Sequence, residues 1–153
     1  MIKKYWKRSG TFFFASFLPL ATLAFAQDSD LLRQMDDVLK QADRQTAEIR
    51  DELEQLSHTP VPEEPRAAEI HRLDITIREL ALEEVQRERK LFLEKRRLLL
   101  LKQDGKISAQ EMMEQELAAA RSLKPERGRW RQRMDAAQAK RATLASELLD
   151  KTP

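Results

Sequence analysis

The stretch from Gln103 to Glu111 predicts a tight turn between two long helices. Gly105 suits the left-handed backbone conformation that ends a helix, because it has no Cβ atom. Ser108 is a favourable N-cap residue, and Glu111, three positions later, completes the pattern of a capping box. These signals favour a long helical hairpin with arms at about 66–102 and 108–150.

The same stretch resembles the second half of a calcium-binding EF-hand loop, with Asp104 at its fifth position and Glu111 at its twelfth. The first and third positions would then be Leu100 and Lys102, whose side chains offer no oxygen ligand to a hard cation. The pattern therefore favours a plain interhelical turn. We expect neither a metal nor any other cofactor.

A heptad pattern occupies the segment before the hairpin. Apolar or small residues recur there at alternating spacings of three and four positions, at Leu32, Met35, Leu39, Ala42, Thr46, Ile49, Leu53 and Leu56. This pattern predicts a coiled-coil helix over residues 28–57. Three prolines in the next eight residues predict an extended linker over 58–65. The linker leaves two arrangements open, in which the helix packs on its own hairpin or docks on a second chain.

The hairpin arms carry three irregular features. Residues 86–90 are polar on every side, which is typical of a solvated helical turn. Residues 98–101 are all leucine, so more than one neighbour must cover them. Pro125 predicts a break or a kink in the second arm. The predicted fold is all-α, an elongated three-helix bundle or coiled coil.

The first 26 residues have the pattern of a secretory signal peptide. A basic segment with Lys3, Lys4, Lys7 and Arg8 precedes an apolar run over 11–23, and Ala24, Phe25 and Ala26 form a cleavage motif. We expect cleavage before Gln27 and a periplasmic location, whereas an uncleaved leader would anchor the protein in the inner membrane. Residues 151–153 are expected to fray.

Charge is distributed unevenly along the chain. The formal net charge of +2 includes four basic residues of the leader, so the chain after the leader carries −2, which argues against nucleic acid as a partner. Residues 28–64 carry −7 and residues 120–141 carry +6. We therefore expect the first and last helices to lie side by side. There is no cysteine, so the fold cannot rely on disulfides.

Two groups of residues are candidates for partner contact. Apolar contact is assigned to the heptad and the leucine run, at Leu32, Met35, Leu39, Ile49, Leu53, Leu56, Leu98 and Leu101. Contact with an anionic surface is assigned to a basic segment, at Arg127, Arg129, Trp130, Arg131 and Arg133. We favour a structural interpretation of that segment, in which Trp130 anchors the helices while the arginines stay solvated or form ion pairs. Met112, Met113 and Met134 are likewise expected in the core rather than on an adaptable binding surface.

No pattern of residues indicates catalysis. His58 and His71 lack the spacing of a zinc motif, and adjacent carboxylates such as Glu63 and Glu64 lack an apolar pocket that would raise a pKa. We therefore expect a protein that is not an enzyme.

The sequence predicts an exported binding protein of the bacterial cell envelope, a periplasmic chaperone or assembly factor that uses apolar helical stripes. Its partner would be another envelope protein or a second copy of itself. In composition and general build it is similar to the Skp/OmpH periplasmic chaperones, which use helical hairpins as arms, although no motif matches residue by residue. Two alternatives stay open: a structural docking subunit of a secretion or conjugation machine, and a peripheral binder of anionic lipid or lipopolysaccharide.

Overall fold

A computed structural model of the chain describes residues 28–150, which form three α-helices. Helix α1 spans Asp28–His58, α2 spans Pro65–Gln103 and α3 spans Ala109–Leu149. The predicted all-α fold, a long hairpin preceded by one further helix, is confirmed. The predicted signal peptide and the predicted frayed tail lie outside the described residues.

The helix ends follow from local capping. The Glu64 carboxylate accepts a hydrogen bond from the backbone N–H of Ala67 at the start of α2. Gly105, in the turn after α2, has a φ of 68°, and the capping box of α3 is formed by both of its hydrogen bonds. The Glu111 carboxylate accepts from the backbone N–H of Ser108 at 2.7 Å, and this bond lowers the pKa of Glu111.

Helix α2 is the central element of the fold. Both α1 and α3 pack along it in antiparallel orientation, and they make only minor contact with each other. The expectation that acidic α1 lies beside basic α3 is therefore wrong. The physical reason is that α2 carries basic residues on the side toward α1 and mostly acidic residues on the side toward α3. Each neighbouring helix therefore pairs with side chains of opposite charge on α2. The bridges to α1 are Asp28–Lys102, Asp36–Arg96, Asp43–Arg89 and Glu52–Arg78.

The heptad seam of α1 packs against α2 of the same chain. Met35, Ala42 and Ile49, at intervals of seven residues, are buried. Ala42 and Ile49 join Ala81 and Val85 in a core cluster, against which Met134 of α3 also packs. Leu98 and Leu99 are each only 1% exposed, so part of the leucine run is core.

Helix α3 continues through Pro125, so the predicted break is wrong, whereas the alternative of a kink stays a prediction. Proline removes one backbone hydrogen bond to the residue four positions earlier, which is Arg121. Both residues are exposed, so water can solvate the carbonyl that loses its donor. None of the three described helices has an apolar stretch long enough to cross a membrane.

Candidate protein-binding groove

A cluster of charged side chains joins α2 to α3 near the middle of the hairpin. Glu84 is only 3% exposed, and its carboxylate accepts a hydrogen bond from Arg87 Nη1 at 2.5 Å. Arg127 of α3 places Nε 3.4 Å from the Glu84 carboxylate and donates from Nη2 to Glu88 at 3.2 Å. This cluster fixes the position of α3 along α2.

The expectation that residues 86–90 are solvated is wrong for Arg87 and Glu88, whereas Gln86 and Lys90 are exposed. The Arg87 side chain is only 11% exposed and lies 4.0 Å from Glu126 of α3, and that of Glu88 is 31% exposed and pairs with Arg127 of α3. Burial raises the pKa of Glu88, and the nearby charge of Glu84 raises it further, while Arg127 and Arg87 partly offset this effect. One side of this polar turn is thus covered by oppositely charged residues of α3.

Trp130 fastens α3 to α2 beside this cluster. Its indole Nε1–H donates a 2.7 Å hydrogen bond to the backbone carbonyl of Leu80, which is buried. The structure thus separates the members of the predicted basic segment. Trp130, Arg127 and Arg133 contact α2, whereas Arg129 and Arg131 are exposed. The favoured structural interpretation of Trp130 is consistent with this geometry.

A groove of about 400 Å³ lies between α2 and α3, in the half of the hairpin nearer the turn. Four apolar residues line it, at Leu91, Leu93, Ala119 and Leu123. Its remaining lining residues are Lys90, Glu94, Arg97 and Ser122. Leu93 is 41% exposed, although it lies between two packed helices. The groove is therefore a place where apolar side chains meet solvent.

Side-chain size explains why the groove exists. Ala119 and Ser122 are short, and both lie on the α3 side of the groove opposite the α2 residues Leu91 and Leu93. The backbones are held in position by the charge cluster and by Trp130, so α3 cannot close onto α2 to fill the space. The short side chains of Ala119 and Ser122 opposite Leu91 and Leu93 leave room for a further apolar side chain.

The rim of the groove is charged. Arg97 donates to both carboxylate oxygens of Glu94, at 2.9 and 2.6 Å. This bidentate pair lowers the pKa of Glu94, chiefly through the hydrogen bond, so the carboxylate is not suited to accept a proton near neutral pH. The Lys90 side chain is exposed. The Ser122 hydroxyl donates a 2.8 Å hydrogen bond to the Ala119 carbonyl. The groove can hold an apolar segment flanked by polar groups.

The other candidate positions give no competing site. A shallow cavity of about 610 Å³ near the end of α1 is lined by Asp51, Glu54, Gln55, His58, Thr59 and Pro60. His58 there lies 3.8 Å from Glu54, and both side chains are highly exposed. Within residues 28–150, no group of three or more potential metal-ligating side chains comes together.

The residues assigned to apolar partner contact lie mainly inside the fold. Met35, Ile49 and Leu98 are buried, and the remaining ones are half-buried: Leu32, Leu39, Leu53, Leu56 and Leu101. Leu93 and Leu123 had no role assigned from the sequence. The pattern that could have identified this region is the apolar run 91–93 on α2, which lies opposite the small residues 118–120 of α3 in a hairpin.

Comparisons with protein-family models, with curated proteins and with solved structures found no match.

Proposed function

We propose that this protein is an exported, non-enzymatic binding protein of the bacterial cell envelope. It acts as a periplasmic chaperone or assembly factor that holds an apolar segment of another envelope protein in the α2–α3 groove. The observation that carries the proposal is the groove itself, in which Leu93 remains 41% exposed beside Leu91 and Leu123. Export is supported by the signal-peptide pattern of the first 26 residues.

The geometry favours α2 and α3 over α1 as the binding elements. The heptad seam of α1 is used for packing against α2, so it is not available to a client while the three helices stay together. The groove, by contrast, is open and needs no rearrangement to accept a side chain. Its small volume suits one or two apolar side chains of a partner segment rather than a folded domain. Binding would therefore be weak and reversible, as a chaperone requires.

Aggregation of an unfolded outer-membrane β-barrel protein tests this proposal. The barrel protein is diluted from urea in the presence of residues 27–153, a segment that contains every helix and contact described above. We expect light scattering to fall as this segment is added. The variant Leu93→Glu/Ser122→Glu places two carboxylates in the groove, and we expect it to lose the effect.

A matched control is available on the other side of α3. Met113 and Leu117 are 59% and 51% exposed, and Met113→Glu/Leu117→Glu introduces the same two negative charges away from the groove. This control should suppress aggregation as well as the unmodified protein. Equal activity of the groove variant and the unmodified protein would rule out the groove as the binding site. Absence of any suppression by the unmodified protein would remove the chaperone function.

A further inference from the structure

One face of α3 points away from both α2 and the groove. Met113 and Leu117, four positions apart, are 59% and 51% exposed, so the expectation that Met113 lies in the core is wrong. At about 100° per residue, Arg121, Lys124 and Arg131 fall within about 40° of Leu117 around the helix. These five residues define what we call the outer face of α3. Ala119 of the groove lies about 200° from Leu117 and belongs to a different side.

The cations of the outer face differ from the basic residues of α3 that pair with α2. Four basic residues of α3 form ion pairs with acidic residues of α2: Arg127, Arg133, Lys140 and Arg141. Arg121, Lys124 and Arg131 are exposed and form no ion pair with any residue in 28–150. The positive charge of α3 is therefore only partly neutralised within the described fold, and the remainder includes three cations on one face.

No acidic residue lies on this face between Leu117 and Arg131, and Glu114 borders it about 60° from Leu117 around the helix. The one carboxylate in that segment is Glu126, which lies about 180° from Leu117 around the helix. It is 4.0 Å from Arg87 of α2. Gly128 lies on the outer face, where an added Cβ would meet no atom within 4 Å. A broad surface can thus approach the helix there without a steric obstacle.

We propose that the outer face of α3 is a contact surface for an anionic lipid bilayer. The charges of the face are complementary to anionic headgroups, and two exposed apolar side chains precede the cations along the same face. The long Arg and Lys side chains can lie along the surface while Met113 and Leu117 reach the boundary with the acyl chains. The face extends for about 27 Å, from residue 113 to residue 131. This proposal does not depend on the groove or on the proposed function.

The shape of the face favours lipid over an acidic protein. It is the convex flank of a single helix, and the described groove lies on another side of α3. Headgroups in a fluid bilayer rearrange around such a flank, so contact with lipid needs no preformed complementary surface. Trp130 does not take part, because its indole is bonded to Leu80 of α2.

Vesicle flotation tests the proposal with residues 27–153, a segment that lacks the basic and apolar leader. The probes are vesicles of phosphatidylcholine alone and vesicles in which about one third of the lipid is phosphatidylglycerol, the anionic component. We expect binding to the anionic vesicles only, and weaker binding as salt rises. Each cation near an anionic surface contributes about a fivefold gain in affinity, so Arg121→Glu/Lys124→Glu/Arg131→Glu should weaken binding by about 100-fold or more.

The control variant changes the same number of charges on α1. Arg33→Glu/Arg44→Glu/Arg50→Glu reverses three exposed arginines and gives the same net charge as the α3 variant. It should retain most of the vesicle binding, and circular dichroism should show the same helix content for both variants. Met113→Ser/Leu117→Ser should weaken binding several-fold while leaving the salt dependence in place.

Three results would overturn the proposal. The first is that the unmodified protein does not float with anionic vesicles at low salt. The second is an equal loss in both triple variants, which would mean that net charge alone governs binding. The third is binding to soluble polyglutamate as tight as to vesicles with no effect of Met113→Ser/Leu117→Ser, which would indicate an acidic protein partner. Loss of vesicle binding with intact aggregation suppression would leave the groove proposal standing.

Discussion

Replacement of the buried carboxylate Glu84 by alanine should destabilise the fold more than any exposed charge substitution. Glu84 is 3% exposed and accepts a hydrogen bond from Arg87, whose side chain is only 11% exposed. Removal of one partner from a buried ion pair typically costs about 3–5 kcal/mol, because the other charge is left without its partner. Arg87 would keep its 3.0 Å hydrogen bond to Glu83, which reduces the loss.

We therefore expect Glu84→Ala to lower the free energy of unfolding by about 2–3 kcal/mol. For a domain of this size, that loss corresponds to a fall of about 10 °C in the midpoint of thermal unfolding. Thermal and urea unfolding followed by circular dichroism at 222 nm measure both quantities. The wavelength reports helix content, and two-state behaviour is tested by agreement of the thermal and urea results.

The neighbouring residue Glu83 provides a matched control. It binds the same guanidinium, but its side chain is 45% exposed. Water can replace a partner at such a position, so Glu83→Ala should lower the free energy of unfolding by less than about 1 kcal/mol. Equal losses from the two substitutions, or a loss below 1 kcal/mol from Glu84→Ala, would refute the claim that the buried Glu84–Arg87 pair stabilises the fold more than its exposed neighbour does.

Three further predictions follow from particular positions. Gly105→Ala should lower the free energy of unfolding by about 1 kcal/mol, because φ is +68° there. Gly128 lies inside α3 with open space around it, so Gly128→Ala should raise the free energy of unfolding by about 0.5–1 kcal/mol. Urea unfolding should show these opposite signs. Trp130→Phe keeps an aromatic ring but removes the donor to the Leu80 carbonyl, so it should lower the free energy of unfolding by about 1–2 kcal/mol. In the unmodified protein, the indole N–H should exchange slowly with solvent. Burial raises the pKa of Glu88 above its ordinary 4.5, so the folded chain binds this proton more readily than the unfolded chain, and stability falls as pH rises through the raised pKa. Glu88→Gln should reduce that dependence in urea unfolding curves measured between pH 4.5 and neutral; an unchanged slope would contradict the assignment.

Local signals predicted the helices and the turn well. A capping box depends on residues three positions apart, and a positive φ at Gly105 depends on one residue, so neither requires knowledge of the rest of the fold. The heptad of α1 likewise identified Met35 and Ile49 as residues that face another helix. The periodicity could not specify which helix, because an apolar seam fits any apolar partner.

The pairing of helices was harder to predict because it depends on the charges of the central helix. The overall charges of α1 and α3 suggested attraction between them, yet α2 carries basic and acidic residues on different sides and satisfies both. The burial of Glu88 within the polar segment 86–90 was not predicted for the same reason. Its partner, Arg127, comes from a helix that is distant in sequence. The periodicity of apolar residues does not show which charged residues meet between helices that are distant in sequence.

The groove could be inferred from the sequence only in part. A run of apolar residues at 91–93 and small residues at 118–120 were both recognisable, and the turn at Gly105 indicates that they lie opposite each other. The empty volume between them depends on the separation of the helix axes, which the charge cluster and Trp130 determine. A sequence pattern does not give that separation.

The packing of α1 against α2 of its own chain is the interface to test first, because this packing removes the heptad seam as a docking surface. Arg89 Nε and Asp43 Oδ1 lie 2.6 Å apart across that interface. The chain has no cysteine, so Asp43→Cys/Arg89→Cys introduces the only two thiols. Treatment of dilute protein with a short bismaleimide, followed by intact mass measurement, should give a monomer that carries one linker bound at both ends. A covalent dimer as the main product would contradict the account and would make the α1 seam a contact between chains.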